Sequence, residues 1–299
     1  MPIEFDDSRV DVSGVDDRRG GGGFGGGGLA VGGGAGIVGV VIYVVIQLLG
    51  INPSELTQPA AGGANSTGRQ ESSAELQARC NSTGALDRYT DCRLIKVYDI
   101  ADATWKDEFT RRGISYHAPR LAFFDGSTST GCGPASADVG PFYCPADEEI
   151  YLDLSFLDTL QTRFGATGEF AQAYILAHEY GHHLQTLLGT EPRVRAAQQQ
   201  HPDLENRYSI ALELQADCYA GVWSALADKQ ASGIQLTKAN IAEAQNAAGA
   251  VGDDRIQRST QGRVDPESWT HGSAAQRQRW FTTGYSSANL DGCNTFTGL

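Results

Sequence analysis

The chain has 299 residues and a formal net charge of −13 at pH 7, with 40% hydrophobic and 20% charged residues. The length suits one large domain or two small ones, and the composition is that of a globular protein able to build a sizeable core. The acidity disfavours nucleic acid or anionic lipid as a partner and says little about the substrate.

The amino-terminal region is a different material. "RRGGGGFGGGGLAVGGGAG" is too glycine-rich to pack a core, and the "IVGVVIYVVIQLLGI" that follows carries no charge. Counted from Leu29 to Ile51, the apolar run is about as long as a helix needs to span a bilayer. A signal peptide would have a shorter apolar core. A core helix of a soluble domain would not be isolated by glycines on one side and "QPAAGGANSTGRQESS" on the other. Arg18 and Arg19 precede the run, and no Lys or Arg follows until Arg69. The positive-inside rule then predicts a Gly-rich cytoplasmic tail over 1–28, a single transmembrane helix over 29–51, a linker over 52–71, and an extracytoplasmic domain over 72–299.

The cysteines fit an exported domain. Cys80, Cys92, Cys132, Cys144, Cys218 and Cys293 show no C-x-x-C zinc spacing, and an even number on the exported side suggests disulfides. Six cysteines allow fifteen connectivities. Short loops favour Cys80 with Cys92 and Cys132 with Cys144, which leaves Cys218 with Cys293.

From Ser72 the pattern is that of a folded domain. Ala74 to Cys80 and Tyr98 to Arg111 carry apolar residues at helical intervals. "RLAFFDG" and "EEIYLDLSF" are short runs rich in aromatic and aliphatic residues, separated by "GCGPASADVGPFYCPAD", whose glycines and prolines mark turns. They read as a small sheet or hairpin. After Leu157 the chain reads as helical through "DTLQTRFG", "AYILAHEYGHHLQTLLG", "NRYSIALELQADCYAGVWSALADKQ", "TKANIAEAQNAAGAVGDDRIQ" and "SAAQRQRWFTTGY". No internal repeat is visible, and the fold class is a helix-dominated α+β domain.

One helix carries three of the six histidines. Residues four apart sit on nearly the same helical face, so His178 and His182 point the same way, while His183 is rotated away by about 100°. "HEYGH" is the H-E-x-x-H pattern, in which two imidazoles bind zinc and the intervening Glu179 handles a proton on a metal-activated water. The plainer reading is a buried helix of Ile175, Leu176, Leu184, Leu187 and Leu188 with hydrogen-bonded core histidines. That reading gives Glu179 no purpose. A catalytic zinc needs a third protein ligand and an open position. Gln185 and Leu188 exclude the metzincin extension, which requires Gly and His there. His201, His271 and a carboxylate remain as third ligands. Among carboxylates, Glu213 and Asp217 in "ALELQADCYAG" share a helical face in an apolar segment, where a buried carboxylate needs a partner.

"GPFYCPADEEIYLDLSF", "FAQAYILAHEYGHHLQ", "ELQADCYAGVW" and "THGSAAQRQRWF", in that order behind a glycine-rich apolar segment, resemble the neutral zinc metallopeptidases of bacterial membranes. The H-E-x-x-H pair followed by E-x-x-x-D also resembles the broader glutamate zincins. The resemblance implies a zincin-like fold, Glu213 as the third zinc ligand and Asp217 as the group supporting a ligating histidine. It implies peptide hydrolysis by a zinc-activated water, with Glu179 as general base and a peptide or protein as substrate. A further donor to the oxyanion is expected from His271, just before "SAAQRQRWF", or less readily from Tyr151. The alternative for His271 is a surface or capping role. By analogy with the family, the "EEIYLDLSF" strand is the edge to which an extended substrate adds. The rival class is a non-catalytic envelope binding module or a structural zinc protein. A closed structural site usually recruits cysteines and four ligands.

Overall fold

The computed structural model describes residues 2–6, 8–20, 70–229 and 233–299. The apolar run 29–51 and the linker up to residue 69 lie outside the described residues. Among the described residues no helix is long and apolar enough to cross a membrane.

Two short strands come first, β1 (Glu4–Phe5) and β2 (Val15–Asp17), and helices α1 (Ser73–Cys80) and α2 (Thr90–Arg112) follow. The Ser72 and Glu75 side chains form a capping box that starts α1. Helix α2 begins at Thr90 rather than at the expected Tyr98. Its first turns were hidden from an apolar-period reading because their buried face carries Asp91, Arg93 and Lys96. Each finds a partner of opposite charge, as burial requires. Asp91 meets Arg19 and Arg79 at 2.7 Å each, Arg93 meets Glu169 at 3.3 Å, and Lys96 Nζ donates to Asp6 Oδ1 at 2.8 Å.

Those contacts tie described residues of the expected amino-terminal tail to the domain. Ile3, Val10, Val12 and Val15 belong to the main core. Arg18 reaches the buried Glu149 at 2.7 Å, so the two arginines read as topology signals are ion-pair partners inside the domain. The Gln70 side chain donates to the Asp17 carbonyl at 2.6 Å, which ties the start of the later described residues to β2.

The main sheet comprises β2, β3 (Arg120–Phe124), β6 (Phe142–Cys144) and β7 (Glu149–Asp153) in the order β2-β3-β7-β6. β2, β3 and β7 run parallel, and β6 is antiparallel to β7. A side hairpin pairs β4 (Ser127–Thr130) with β5 (Gly133–Ser136). β5 and β6 both fall within the stretch read only as turns. The aromatic pair of β6 is too short a run to register against its flanking Gly and Pro residues. Asp153 ends β7 and caps α3 (Leu154–Phe164), its side chain accepting from Ser155 N.

The helical layer comprises α4 (Glu169–Leu187), α5 (Thr190–Gln200), α6 (Glu205–Lys229), α7 (Lys238–Ala250), α8 (Asp253–Gln261) and α9 (Ala274–Ser287). A short strand, β8 (Ile234–Gln235), precedes α7 and pairs with β1. The domain is helix-dominated α+β, as the sequence implied. Disulfides join Cys80 to Cys92, Cys132 to Cys144 and Cys218 to Cys293, the pairing expected from loop length.

Candidate metal centre

Helix α6 crosses α4 closely because the fourth residue of "HEYGH" is a glycine. A Cβ on Gly181 would lie 3.1 Å from the Ala216 backbone. Helix α9 comes closer still at Gly284, where a Cβ would fall on the Cys218 carbonyl. These contacts bring His178 and His182 from α4, Glu213 and Asp217 from α6, and Arg277 from α9 to one buried place.

His178 Nε2 lies 3.1 Å from Glu213 Oε2, and His182 Nε2 lies 3.5 Å from Glu213 Oε1. One donor atom from each residue falls within 4.8 Å of the others. Ligands at ~2.0–2.1 Å in tetrahedral directions would stand about 3.3 Å apart, so the spacing fits zinc. The outer nitrogens are engaged. His178 Nδ1 pairs with Asp217 Oδ1 at 2.9 Å, and His182 Nδ1 pairs with Gln185 Oε1 at 2.9 Å. Gln185 is itself oriented, its amide donating to the Leu212 carbonyl at 2.8 Å. Both imidazoles therefore keep an Nε2 lone pair for a cation, which is how supporting groups fix a ligand's tautomer.

The electrostatics also call for a cation. Glu213 is buried, yet His182, His178 and His271 hold its carboxyl well below the usual range against the burial that would raise it. Burial and the nearby Glu213 push Glu179 up to about 7, while the Tyr143 backbone N–H favours its ionised form. Burial disfavours a charged His178, but Asp217 and Glu213 outweigh it and raise the ring to about 9. Protons on His178 and Glu179 thus take the place that positive charge at the site would fill.

Asp217 has no exposed surface and receives several donors. Arg277 reaches it twice, from Nε at 2.8 Å and Nη2 at 2.9 Å, and Tyr174 donates through a very short hydrogen bond. The Arg277 charge offsets that of Asp217. A dication would then face Glu213 and Glu179 as its balancing charges.

His271 lines the same cavity but lies outside the three-residue cluster. Its Nδ1 is 3.1 Å from Asp253 Oδ1, and Asp253 raises its pKa against the lowering effect of burial. His201 is exposed at the end of α5 and takes no part. Tyr151 is directed elsewhere, its hydroxyl lying 2.7 Å from a carboxylate oxygen of Asp147 and 2.7 Å from one of Glu149. His183 is the expected bystander. Its Nε2 donates to the His117 carbonyl at 2.8 Å, so its Nδ1 accepts from the Tyr143 hydroxyl at 3.1 Å. The strand bordering the site is also corrected: β7 is interior to the sheet, and β6, whose Phe142 and Tyr143 line the cavity, is the edge.

Sequence reading missed Arg277, Asp253, Tyr174 and Gln185. Tyr174 lies one turn before His178 and Gln185 three residues beyond His182, a spacing that placed both on the metal-facing side. Nothing local marks Arg277 or Asp253, whose partners are 60 and 18 residues away.

A family model described as "Putative neutral zinc metallopeptidase" matches residues 7–296. The chain is 42% identical over 263 residues to the uncharacterized protein YpfJ of Escherichia coli K12, covering 88% of each. It is 44% identical over 228 residues to the uncharacterized protein Rv2575 of Mycobacterium tuberculosis H37Rv, covering 74% of this chain and 75% of the relative. No solved structure matches the chain.

Proposed function

The chain belongs to the neutral zinc metallopeptidase family, and we propose that it hydrolyses peptide bonds with zinc held by His178, His182 and Glu213. The observation that carries this reading is the convergence of those three donor atoms within 4.8 Å, with Glu179 on the same helix and in the same cavity. A closed structural site would use four protein ligands, and among the described residues this cluster has three.

Zinc bound there supplies Lewis acidity, lowering the pKa of a water toward ~7 and polarising a carbonyl. The Glu179 carboxylate takes the proton that water releases and delivers it to the leaving amide nitrogen. His271, whose protonated form Asp253 favours, donates to the carbonyl oxygen as negative charge develops on it. Asp217 and Arg277 hold His178 in its ligating orientation and touch no substrate. The free edge of β6 takes an extended peptide by strand addition, and the helix beneath an edge strand makes the arrangement zincin-like.

The domain is read as exported to an oxidising compartment, on the strength of its three disulfides. Ile3, Val10, Val12 and Val15 are part of its core, so the described residues before segment 29–51 belong on the domain's side of any membrane that segment engages. That replaces the expected cytoplasmic amino terminus.

The test is zinc content and peptide cleavage of the purified full chain. One zinc per chain, with cleavage lost on chelation and restored by zinc, is expected. Stoichiometric zinc without cleavage of any peptide in a diverse mixture would leave a non-catalytic zinc protein.

A further inference from the structure

We propose that the cleft selects substrates with a large apolar side chain, Leu, Ile, Met or Phe, immediately on one side of the scissile bond. The proposal rests on the hydrolase reading above and adds to it the chemical class of substrate.

The metal-binding stripe divides the cleft. Along α4, Ile175 lies one turn before His178 and Glu179, and Gln185 lies one turn beyond His182, and all of them line one cavity of about 200 Å³. The apolar walls of the cavity come from the turn before β6, from β6 itself and from α3: Val139, Pro141, Phe142, Phe156, Leu160 and Phe164. None of these side chains carries a polar atom. The hydroxyls bordering this half are both engaged, that of Tyr143 by His183 and that of Tyr174 by Asp217. Beyond Gln185 the lining turns polar, with Glu191 and Arg195 paired to each other through a very short contact.

The apolar half has a shaped surface. Gly140 sits at φ +78°, and a Cβ there would come within 2.9 Å of Phe156 Cζ, so the Phe156 ring packs directly on glycine backbone. The cavity is smaller than the roughly 300–1,000 Å³ of sites that enclose whole small-molecule ligands, and it suits a single side chain. A Leu or Phe entering it exchanges water for apolar walls, which favours burial. An Asp or Lys would be stripped of water with no partner to replace it, so charged residues are rejected. Because this half begins one turn from the metal-binding pair, the residue it holds is adjacent to the bond cut.

Removing a methylene from a hydrophobic pocket's occupant costs about 10–200-fold in discrimination, so Leu or Phe should exceed Gly or Ala at this position by at least ~100-fold. The experiment incubates the zinc-loaded full chain with an equimolar peptide library and maps the cut sites by mass spectrometry. Enrichment of Leu, Ile, Met and Phe at one fixed side of the bond is expected. No preference there, or preference for charged residues, overturns the proposal. Leu160→Phe should shift the preference toward Ala by about tenfold, and Phe164→Ala, at a less buried position, should shift it toward larger side chains. Unchanged profiles in both folded variants would also overturn it. Binding separates this proposal from the hydrolase reading. Calorimetry on zinc-loaded Glu179→Gln chain would compare acetyl-Gly-Gly-Phe-Gly-Gly amide with the same peptide carrying Asp in place of Phe. Binding of the Phe peptide at least tenfold tighter upholds the apolar pocket whether or not the wild type turns over, and equal affinities refute it.

Discussion

Arg277 and Asp217 form a two-point ion pair, Nε to Oδ2 at 2.8 Å and Nη2 to Oδ1 at 2.9 Å, with both side chains almost wholly buried. Asp217 in turn holds His178 Nδ1 at 2.9 Å, so a charge on α9 is linked through α6 to the proposed metal ligand His178 on α4. Removing one partner of such a pair leaves the other charged and unpaired away from water, at a cost of about 3–5 kcal/mol. Arg277→Met should therefore destabilise the zinc-free chain by roughly that amount in urea unfolding. Arg277→Lys should recover only part of it, because an ammonium cannot reproduce the two-point contact. Wild-type stability in Arg277→Met would remove the pair from the account.

The roles of Glu213 and Asp217 differ, and so should their variants. Glu213→Gln removes a ligand charge and should weaken zinc binding more than Asp217→Asn, for which about 10–100-fold is expected from the loss of a supporting hydrogen bond. Competitive titration against a chromophoric chelator reads both. If Glu213→Gln kept wild-type affinity while His271→Ala lost it, the third ligand would be His271.

Stability of the zinc-free chain should fall with rising pH. His178 is raised to about 9 in the fold, despite burial, by Asp217 and Glu213, and it would titrate near ~6.5 when unfolded. The folded state binds that proton more tightly, so the stabilisation is complete below about pH 6.5 and is lost as pH rises through 9. Glu179, raised to about 7 chiefly by burial, acts in the same direction at lower pH. Thermal melts of zinc-free protein should decline between pH 6 and 9. Zinc requires a neutral imidazole and should remove the part of that decline due to His178. Identical slopes with and without zinc would contradict this charge assignment.

Much of this centre was legible in the sequence for a definite reason. A helix forces residues four apart onto one face, so His178 with His182 and Glu213 with Asp217 could be paired before any fold was known. Disulfide pairing followed from loop length. The start of α2 was not legible, because its buried face is charged and its partners Asp6 and Arg19 lie more than 70 residues away. Arg277 was hidden similarly: "SAAQRQRWF" places four long polar chains in a row, and only packing on α6 decides which is buried. The arginines before the apolar run satisfied a membrane-topology rule while serving as ion-pair partners in the domain, and no local pattern distinguishes the two uses.

Membrane sidedness provides an independent check. Ser13 and Ser82 are both exposed and lie on either side of segment 29–51. Cysteine placed at either position in the full chain should react equally with a membrane-impermeant maleimide in intact cells whose outer barrier is permeabilised. Labelling of Ser82→Cys alone, with Ser13→Cys reacting only after lysis, would restore the cytoplasmic tail and show that the packing of β2 on β3 does not form in the cell.

The central claim is that Glu179 moves a proton at a zinc site built by its neighbours. Glu179→Gln keeps the side chain's size and removes its basicity, so it separates metal binding from chemistry. The decisive measurement is zinc stoichiometry and peptide hydrolysis of wild type and Glu179→Gln side by side. One zinc per chain in both, with hydrolysis in the wild type and a loss of at least ~100-fold in the variant, is the expected result. Hydrolysis by Glu179→Gln at the wild-type rate, with zinc retained, would contradict the mechanism.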